Sequence, residues 1–353
     1  MDSFADAGLP NAQMGNAREI VSRLDARRFH VSMFFVRQPD PRIAMRENTR
    51  LIQLPMRRQT PHIFREFLWG KHQVLFYMKS SPASRWYLSL RSKWKDGRIT
   101  IGTIEASSAL RPEPTISEDA VQLWEHTILR CDYLFSNSRS VQESLQREYR
   151  LASEIIPTGV DTRFYVPLQY RAPNPRPRVF FAGSLRHYKQ PQCVVDAAAR
   201  FTNADFRIAG EGSLAPVLAS RVAELGLRNV SILGLLSAEQ LRGEYQNADV
   251  FFFPSKWEGS PKVVLEAAAC GLPVIVRNDY APETVLDGLT GYVTNSDEQI
   301  FDRLEALLGN PALRQQMGAN GRRLSEKYDW NLITMQWEDT FSRLMRRDAR
   351  RAS

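Results

Sequence analysis

Two carboxylates, Glu258 and Glu266, stand eight residues apart in the stretch Pro254 to Val276, PSKWEGSPKVVLEAAACGLPVIV. A carboxylate accepts hydrogen bonds through two oxygens, so each can serve two neighbouring hydroxyls. Between them, Ser260 is expected to cap a helix. Pro261 is expected at its first position, where it gives up only an N–H without an intrahelical partner. The free N–H groups near Lys262 and Val263 would then point, with the helix dipole, at an anion. Gly271 reads as the left-handed cap after this helix. Glu266 falls just over a turn inside it, and Glu258 lies in the loop before it. A ligand carrying hydroxyls on both sides of a diphosphate fits this arrangement. A Glu pair at this spacing alone is most often a solvated surface; the whole stretch is what points to chemistry.

The elements that must hold these residues are legible around them. Arg178–Ala182, Phe206–Ala209, Val230–Leu233, Asp249–Phe253 and Pro273–Val276 read as strands. They alternate with helices over Pro191–Phe201, from after Gly210-Glu211-Gly212 to about Leu225, over Ser237–Asn247 and over Lys262–Ala269. The third of these opens on a capping box, Ser237 with Gln240. Such alternation implies right-handed βαβ units and a parallel sheet covered on both faces. Phe253 ends a strand, so Pro254 onward lies at the carboxyl edge, where such sheets bind ligands.

The first half is similar but less regular. Ala17–Leu24 and Ser117–Arg130 look helical, with His126 read as structural. Val31–Val36, Leu51–Leu54, Gln73–Phe76, Ile99–Ile104 and Tyr133–Ser136 look like strands. Only MDSF precedes the loop ADAGLPNAQMGN and the first helix, so the strand expected at the centre of the sheet has at most a few residues. That shortness suggests an internal start or a truncated gene. RAPNPRPR at 171–178 reads as a semi-rigid linker. The expected domains are 1–170 and 171–329, with a final helix over 330–353 crossing back to the first.

At 353 residues, with 43% hydrophobic and 24% charged residues, the chain is of ordinary globular composition and long enough for two domains. No apolar run reaches membrane-spanning length and no secretory signal opens the sequence. Cys131, Cys193 and Cys270 lack metal-ligand spacing and read as free thiols in a reducing, cytoplasmic compartment. The net charge of +8 is uneven, with residues 1–150 carrying 23 Lys and Arg against 16 Asp and Glu. A basic first half suits an anionic lipid surface or a phosphorylated acceptor, or is simply solvated. No nucleic-acid motif accompanies it.

The stretch PSKWEGSPKVVLEAAACGLPVI resembles the Glu-x7-Glu signature of the retaining glycosyltransferases of family 4. So do PTGVDTRFY at 157–165, FAGSLRHYKQ at 181–190, IAGEGSL at 208–214, NVSILG at 229–234, NADVFFFPSKWEGSP at 247–261 and LTGYVT at 289–294. The resemblance implies an α/β chain of GT-B fold, two Rossmann-like domains facing across a cleft; the missing apolar run leaves open that the first domain lacks its first strand. It implies that Glu266 holds the donor ribose, that Glu258 contacts the donor sugar, and that Lys189 contacts the diphosphate. A diphosphate beside two carboxylates needs positive charge, so Lys189 also makes chemical sense. The family carries Arg soon after Gly183, where this chain has Ser184; Arg186 could supply the charge or be an exposed loop residue. Gly183 would let the backbone approach phosphate. Gly210 and Gly212 read first as turn glycines and second as lining the donor pocket. Leu235 matches the region that holds the base, or is core. Gly15-Asn16 matches the family's first glycine loop. Glu105 stands where the family usually ends a strand with His, and could orient an acceptor hydroxyl.

The reading is transfer of a sugar, with retention, from a nucleoside diphosphate sugar to a glycan or lipid-linked acceptor in bacterial polysaccharide or glycolipid synthesis. No Asp-x-Asp motif is present, so no metal and no cofactor is expected. The location expected is cytoplasmic, with peripheral contact at the inner membrane face. A non-catalytic sugar-nucleotide-binding protein and a hydrolase or epimerase of the donor are the alternatives.

Overall fold

The computed structural model describes residues 1–6, 12–94, 96–105 and 117–352, without the side chains of Ala12 and residues 349–352. The Pro-rich RPEPT segment and most of the ADAGLPN loop lie outside them. The chain divides into two compact units, Met1–Pro157 with Trp330–Ser353, and Thr158–Asp329.

The first unit contains β1 (Val31–Phe35), β2 (Thr49–Gln53), β3 (Val74–Phe76), β4 (Ile99–Ile104), β5 (Tyr133–Ser136) and β6 (Glu154–Ile155). β1 pairs with β2, and β3 to β6 pair in sequence, all in parallel. The central place belongs to the opening residues. Asp2 N–H donates to Phe76 O at 2.9 Å, while Ala5 N–H donates to Phe34 O at 2.7 Å and Phe34 N–H to Ser3 O at 3.3 Å. Five residues thus bridge β1 and β3. They carry no apolar run because their polar side chains have work inside: Asp2 Oδ2 accepts from Lys79 N–H and Ser84 Oγ.

The last helix, Trp330–Ala352, packs on this unit. Trp330, Ile333, Trp337, Phe341 and Leu344 join Ala17, Ile20, Val21 and Leu24 in one core. Trp337 lies 4.6 Å from Phe76 and 4.9 Å from Phe135 between ring centroids. The segment expected to be one helix over Ser117–Arg130 is instead a helix Glu118–Glu125, capped by Ser117, and a 3-10 turn Ile128–Arg130. His126 closes the first of these, its Nδ1 2.7 Å from Gln122 O.

The second unit contains β7 (Arg178–Ala182), β8 (Asp205–Ala209), β9 (Val230–Gly234), β10 (Val250–Phe253), β11 (Val274–Arg277) and β12 (Gly291–Thr294). The sheet is parallel in the order β12-β11-β10-β7-β8-β9. The central strands are buried on both faces, which is why they read as unbroken runs such as VFFF. Each buried Phe contributes roughly 1.5–3 kcal/mol.

Two boundaries differ from expectation. Residues 158–170 belong to the second unit: Val160 N–H donates to Tyr328 O, Gln246 Nε2 to Val166 O, and Tyr165 sits in its core. RAPNPRPR is bound to that unit through Asp249, which accepts from Arg171, from Asn174 Nδ2 and from Arg178 N–H. Prolines deny this segment a strand, and the buried carboxylate fixes it in place.

Candidate functional site

In the second sheet the chain runs outward from β7 through β8 to β9, then returns to lay β10, β11 and β12 on the other side. The switch point therefore lies between β7 and β10, and ligands of such sheets bind beyond the carboxyl ends there. The loop after β7 carries Gly183 to Gln190; the loop after β10 carries Pro254 to Pro261. They are fastened together: Lys256 N–H donates to Tyr188 O at 2.8 Å.

This brings Lys189 and Glu258 together across 69 residues of sequence in a direct ion pair. Ser255 Oγ donates to the same carboxylate oxygen at 2.6 Å. The ammonium lies 5.1 Å from the Phe253 ring centroid and 5.3 Å from that of Tyr188. Both side chains are nearly buried, at 14% and 11% exposure, so a group that displaced one from the other would meet little competition from water.

Glu266 lies on the helix Lys262–Ala269, which follows the same loop. Its carboxylate accepts from Tyr245 OH at 3.1 Å. Burial pushes this carboxyl above its ordinary value, against the opposing pull of Lys262, Tyr245 and Tyr165. Tyr245 is in turn pushed up by burial and by the charge of Glu266.

Pro261, and not Ser260, occupies the cap position of this helix, with φ −69 and ψ 117. Ser260 makes no capping bond; its Oγ is buried and unpartnered. Lys262 and Val263 still form the first turn, where N–H groups have no carbonyl one turn back. Nearby, the hydroxyl of Tyr280 is also buried and unpartnered. Its acidity is suppressed by burial and by Glu258.

The remaining candidates separate. A Cβ on Gly183 would meet nothing closer than 3.5 Å, so packing in the protein alone does not demand glycine there. Gly210 is different: its φ is +132, and a Cβ would lie 1.9 Å from Gly183 O. It is a close-approach glycine that shapes the β7 loop from behind. Arg186 is exposed, and its guanidinium has no partner among the described residues. Leu235 follows Gly234 with 61% exposure, so the reading of it as core falls. Sequence reasoning missed Ser255, Tyr165 and Tyr245. Ser255 sits inside the signature stretch, but the two tyrosines reach Glu266 only through the tertiary fold.

In the first unit the analogous edge holds Gly15, Asn16, Tyr77 and Glu105. Gly15 is the fourth residue of the helix Ala12–Arg23. Glu105 Oε1 accepts from Asn16 Nδ2 at 3.0 Å and from Tyr77 OH at 2.8 Å. Tyr77 adopts φ +60, an uncommon conformation for a bulky residue. Burial and the Glu105 charge push its hydroxyl pKa up. Glu105 is thus a built-in acceptor rather than a loose loop residue. Glu105→Ala is expected to destabilise this unit by roughly 2–3 kcal/mol, because two buried donors lose their acceptor. Urea unfolding checks this, and an unchanged midpoint would show the network idle.

Residues 168–324 match the family described as Glycosyl transferases group 1. A GDP-mannose-dependent alpha-(1-6)-phosphatidylinositol monomannoside mannosyltransferase of Mycolicibacterium smegmatis is 31% identical over 229 residues, 57% of this chain and 58% of that protein. A D-inositol 3-phosphate glycosyltransferase of an Arthrobacter species is 30% identical over 196 residues, 50% of this chain and 47% of that protein. The chain spans about half the length of the curated relatives it matches. Among solved structures, sucrose-phosphate synthase of Thermosynechococcus elongatus superposes with a TM-score of 0.79 at 19% identity, over 97% of this chain and 98% of that one. HepE of Anabaena, solved with UDP and glucose, gives 0.74 at 15% identity, over 96% and 98%. At these identities the likeness is one of fold, and that fold is GT-B, two Rossmann-like units. No described helix is long and apolar enough to cross a membrane.

Proposed function

We propose that the chain is a retaining glycosyltransferase that moves a sugar from a nucleoside diphosphate sugar to an acceptor hydroxyl. The observation that carries this reading is the Lys189–Glu258 pair at the β7/β10 switch point, with Glu266 on the adjoining helix. Glu266 accepts from the ribose hydroxyls, and Glu258 from the sugar. Lys189, Arg186 and the first-turn N–H groups at Lys262 and Val263 take the charge of the departing diphosphate, without a metal. The bond from the anomeric carbon to the diphosphate oxygen breaks, and its electron pair leaves with the diphosphate. The acceptor oxygen bonds to the same face of that carbon, and its proton passes to the departing diphosphate oxygen. The family match in the second unit and the UDP in the HepE structure support the donor class.

Relatives named for a phosphatidylinositol mannoside and for a capsular polysaccharide support a glycan or lipid-linked acceptor. A lipid-linked acceptor would place the reaction beside a membrane. The test is a panel of labelled nucleotide sugars offered with lipid and glycan acceptors, with the anomeric configuration of the product read by NMR. Product of the donor's configuration is expected. Donor binding by calorimetry with no turnover across the panel would replace the enzyme with a sugar-nucleotide-binding protein. Free sugar released without acceptor would mark a donor hydrolase.

A further inference from the structure

The chain's positive charge is concentrated in one place that the donor site does not use. Between Met56 and Arg98 the sequence carries ten Lys and Arg against two Asp and Glu, a balance of +8 equal to that of the whole chain. Both acids are already engaged, Glu66 by Arg50 and His72, Asp96 by Arg91 and Arg98. Arg57, Arg58, Arg65, Lys71, Arg85 and Lys93 are exposed, and their side chains have no carboxylate partner among the described residues.

Two helices organise this charge. Gln59–Trp69 and Pro82–Arg91 turn Ile63, Phe67, Ala83, Tyr87 and Leu88 inward to a shared core. Their outward faces adjoin where Phe64 and Trp86 meet edge to face, 5.6 Å between centroids. Along the first helix His62, Arg65 and Trp69 fall at helical spacing on the outer face. Arg85, Trp86, Ser89 and Leu90 do so on the second, and Lys93 and Trp94 continue beyond it.

Three tryptophans are therefore in solvent: Trp69 at 73% exposure, Trp94 at 57% and Trp86 at 48%. Leaving so much aromatic surface in water is unfavourable for a protein surface that meets only water. Leu90, one turn from Trp86 and Trp94, extends this apolar area, and Met56 is exposed just ahead of the first helix. Tryptophan is at home where an apolar environment meets a wet one, and Arg and Lys can bury their stems while keeping their charge at the surface. Apolar and aromatic side chains interleaved with unpaired cations on adjoining helices are what an anionic bilayer surface binds. A nucleic acid would use the cations but has no place for Met56 and Leu90.

We propose that this face of the first unit docks on an anionic lipid bilayer. It deepens the lipid-linked acceptor reading given above and rests on it only for the presence of a membrane nearby. The surface shares no residue with the Lys189–Glu258–Glu266 site.

The test is co-sedimentation of the full chain with vesicles of phosphatidylcholine alone and with about a third phosphatidylglycerol. Binding is expected only to the second, falling as salt rises. Neutralising a cation near the surface costs about fivefold in partitioning, so Arg65→Ala with Arg85→Ala together should weaken binding about 30-fold. Trp69→Ala and Trp94→Ala should weaken it further and reduce the quenching of tryptophan fluorescence by brominated lipid, leaving the share due to Trp86. Donor calorimetry and thermal melting on each variant show whether both units remain folded. Loss of vesicle binding with donor affinity intact supports the surface whatever the fate of the transferase reading. Equal binding to both vesicle types, no binding to the anionic ones, or full binding by the folded Arg65/Arg85 variant would overturn it. So would tighter binding to RNA than to anionic vesicles.

Discussion

Lys189→Ala is expected to lower kcat by about 10²–10³, with a smaller change in KM, once the donor and acceptor are found. The size follows from where the ammonium sits. It lies between the aromatic rings of Phe253 and Tyr188 and against Glu258, with little exposure to water. A charge held there needs no reorganisation when the diphosphate departs, which is the condition for a large electrostatic effect. The same burial complicates the measurement. Removing the ammonium leaves the Glu258 carboxylate with Ser255 Oγ as a donor but without its counter-charge, and such a loss costs about 3–5 kcal/mol of stability. Lys189→Met with Glu258→Gln removes both charges, so its melting temperature should recover while its turnover stays low, which separates the two effects. Glu258→Gln alone should act mainly on turnover. Lys189→Arg should not restore activity, because a planar fork cannot replace a compact ammonium in this ring-lined slot. A Lys189→Ala protein that melts and turns over normally would remove this residue from the mechanism.

The second unit was legible because its physics is local and repetitive. β7 and β10 are buried on both faces and therefore appear as apolar runs, and the helix Lys262–Ala269 matches the expected range residue for residue. The cap grammar failed at one point. Pro261 took the cap position, and Ser260, the residue type that best caps a helix, turned its hydroxyl inside. That failure lies within the candidate site, where a hydroxyl kept without a partner is understandable as a ligand contact.

The first unit was harder to read for two reasons. The opening residues that bridge β1 and β3 include Asp2, whose carboxylate accepts from Lys79 N–H and Ser84 Oγ far along the chain, so no apolar run marks them. The helices Gln59–Trp69 and Pro82–Arg91 carry tryptophan on their outward faces as well as apolar residues inside, which blurs the amphipathic period. The pairings Lys189–Glu258 and Tyr245–Glu266 span 69 and 21 residues. Residue type and the signature stretch single out the partners Lys189, Glu258 and Glu266, but only the sheet order brings them together.

Glu266 carries the second large effect, and its two substitutions should separate binding from stability. Glu266→Ala is expected to weaken donor binding about 10²-fold by calorimetry, since hydrogen bonds to a charged acceptor contribute roughly 1.5–3 kcal/mol each. Glu266→Gln keeps the shape and one acceptor oxygen, so its loss of affinity should be smaller. In the free protein the Gln variant should melt higher than the wild type at neutral pH. Burial raises the Glu266 carboxyl above its ordinary value of 4.5, so the folded protein holds that proton more tightly than the unfolded chain. Stability is then lost as pH rises from the unfolded value through the raised folded one. The advantage of Gln should be absent below that window, grow through it and stay level above it. A half-buried carboxylate kept at a cost to stability is the mark of a group retained for a ligand. Donor affinity unchanged in Glu266→Ala would dissolve the site, and a Gln variant no more stable than wild type at any pH would refute the burial argument while leaving the binding role to the first measurement.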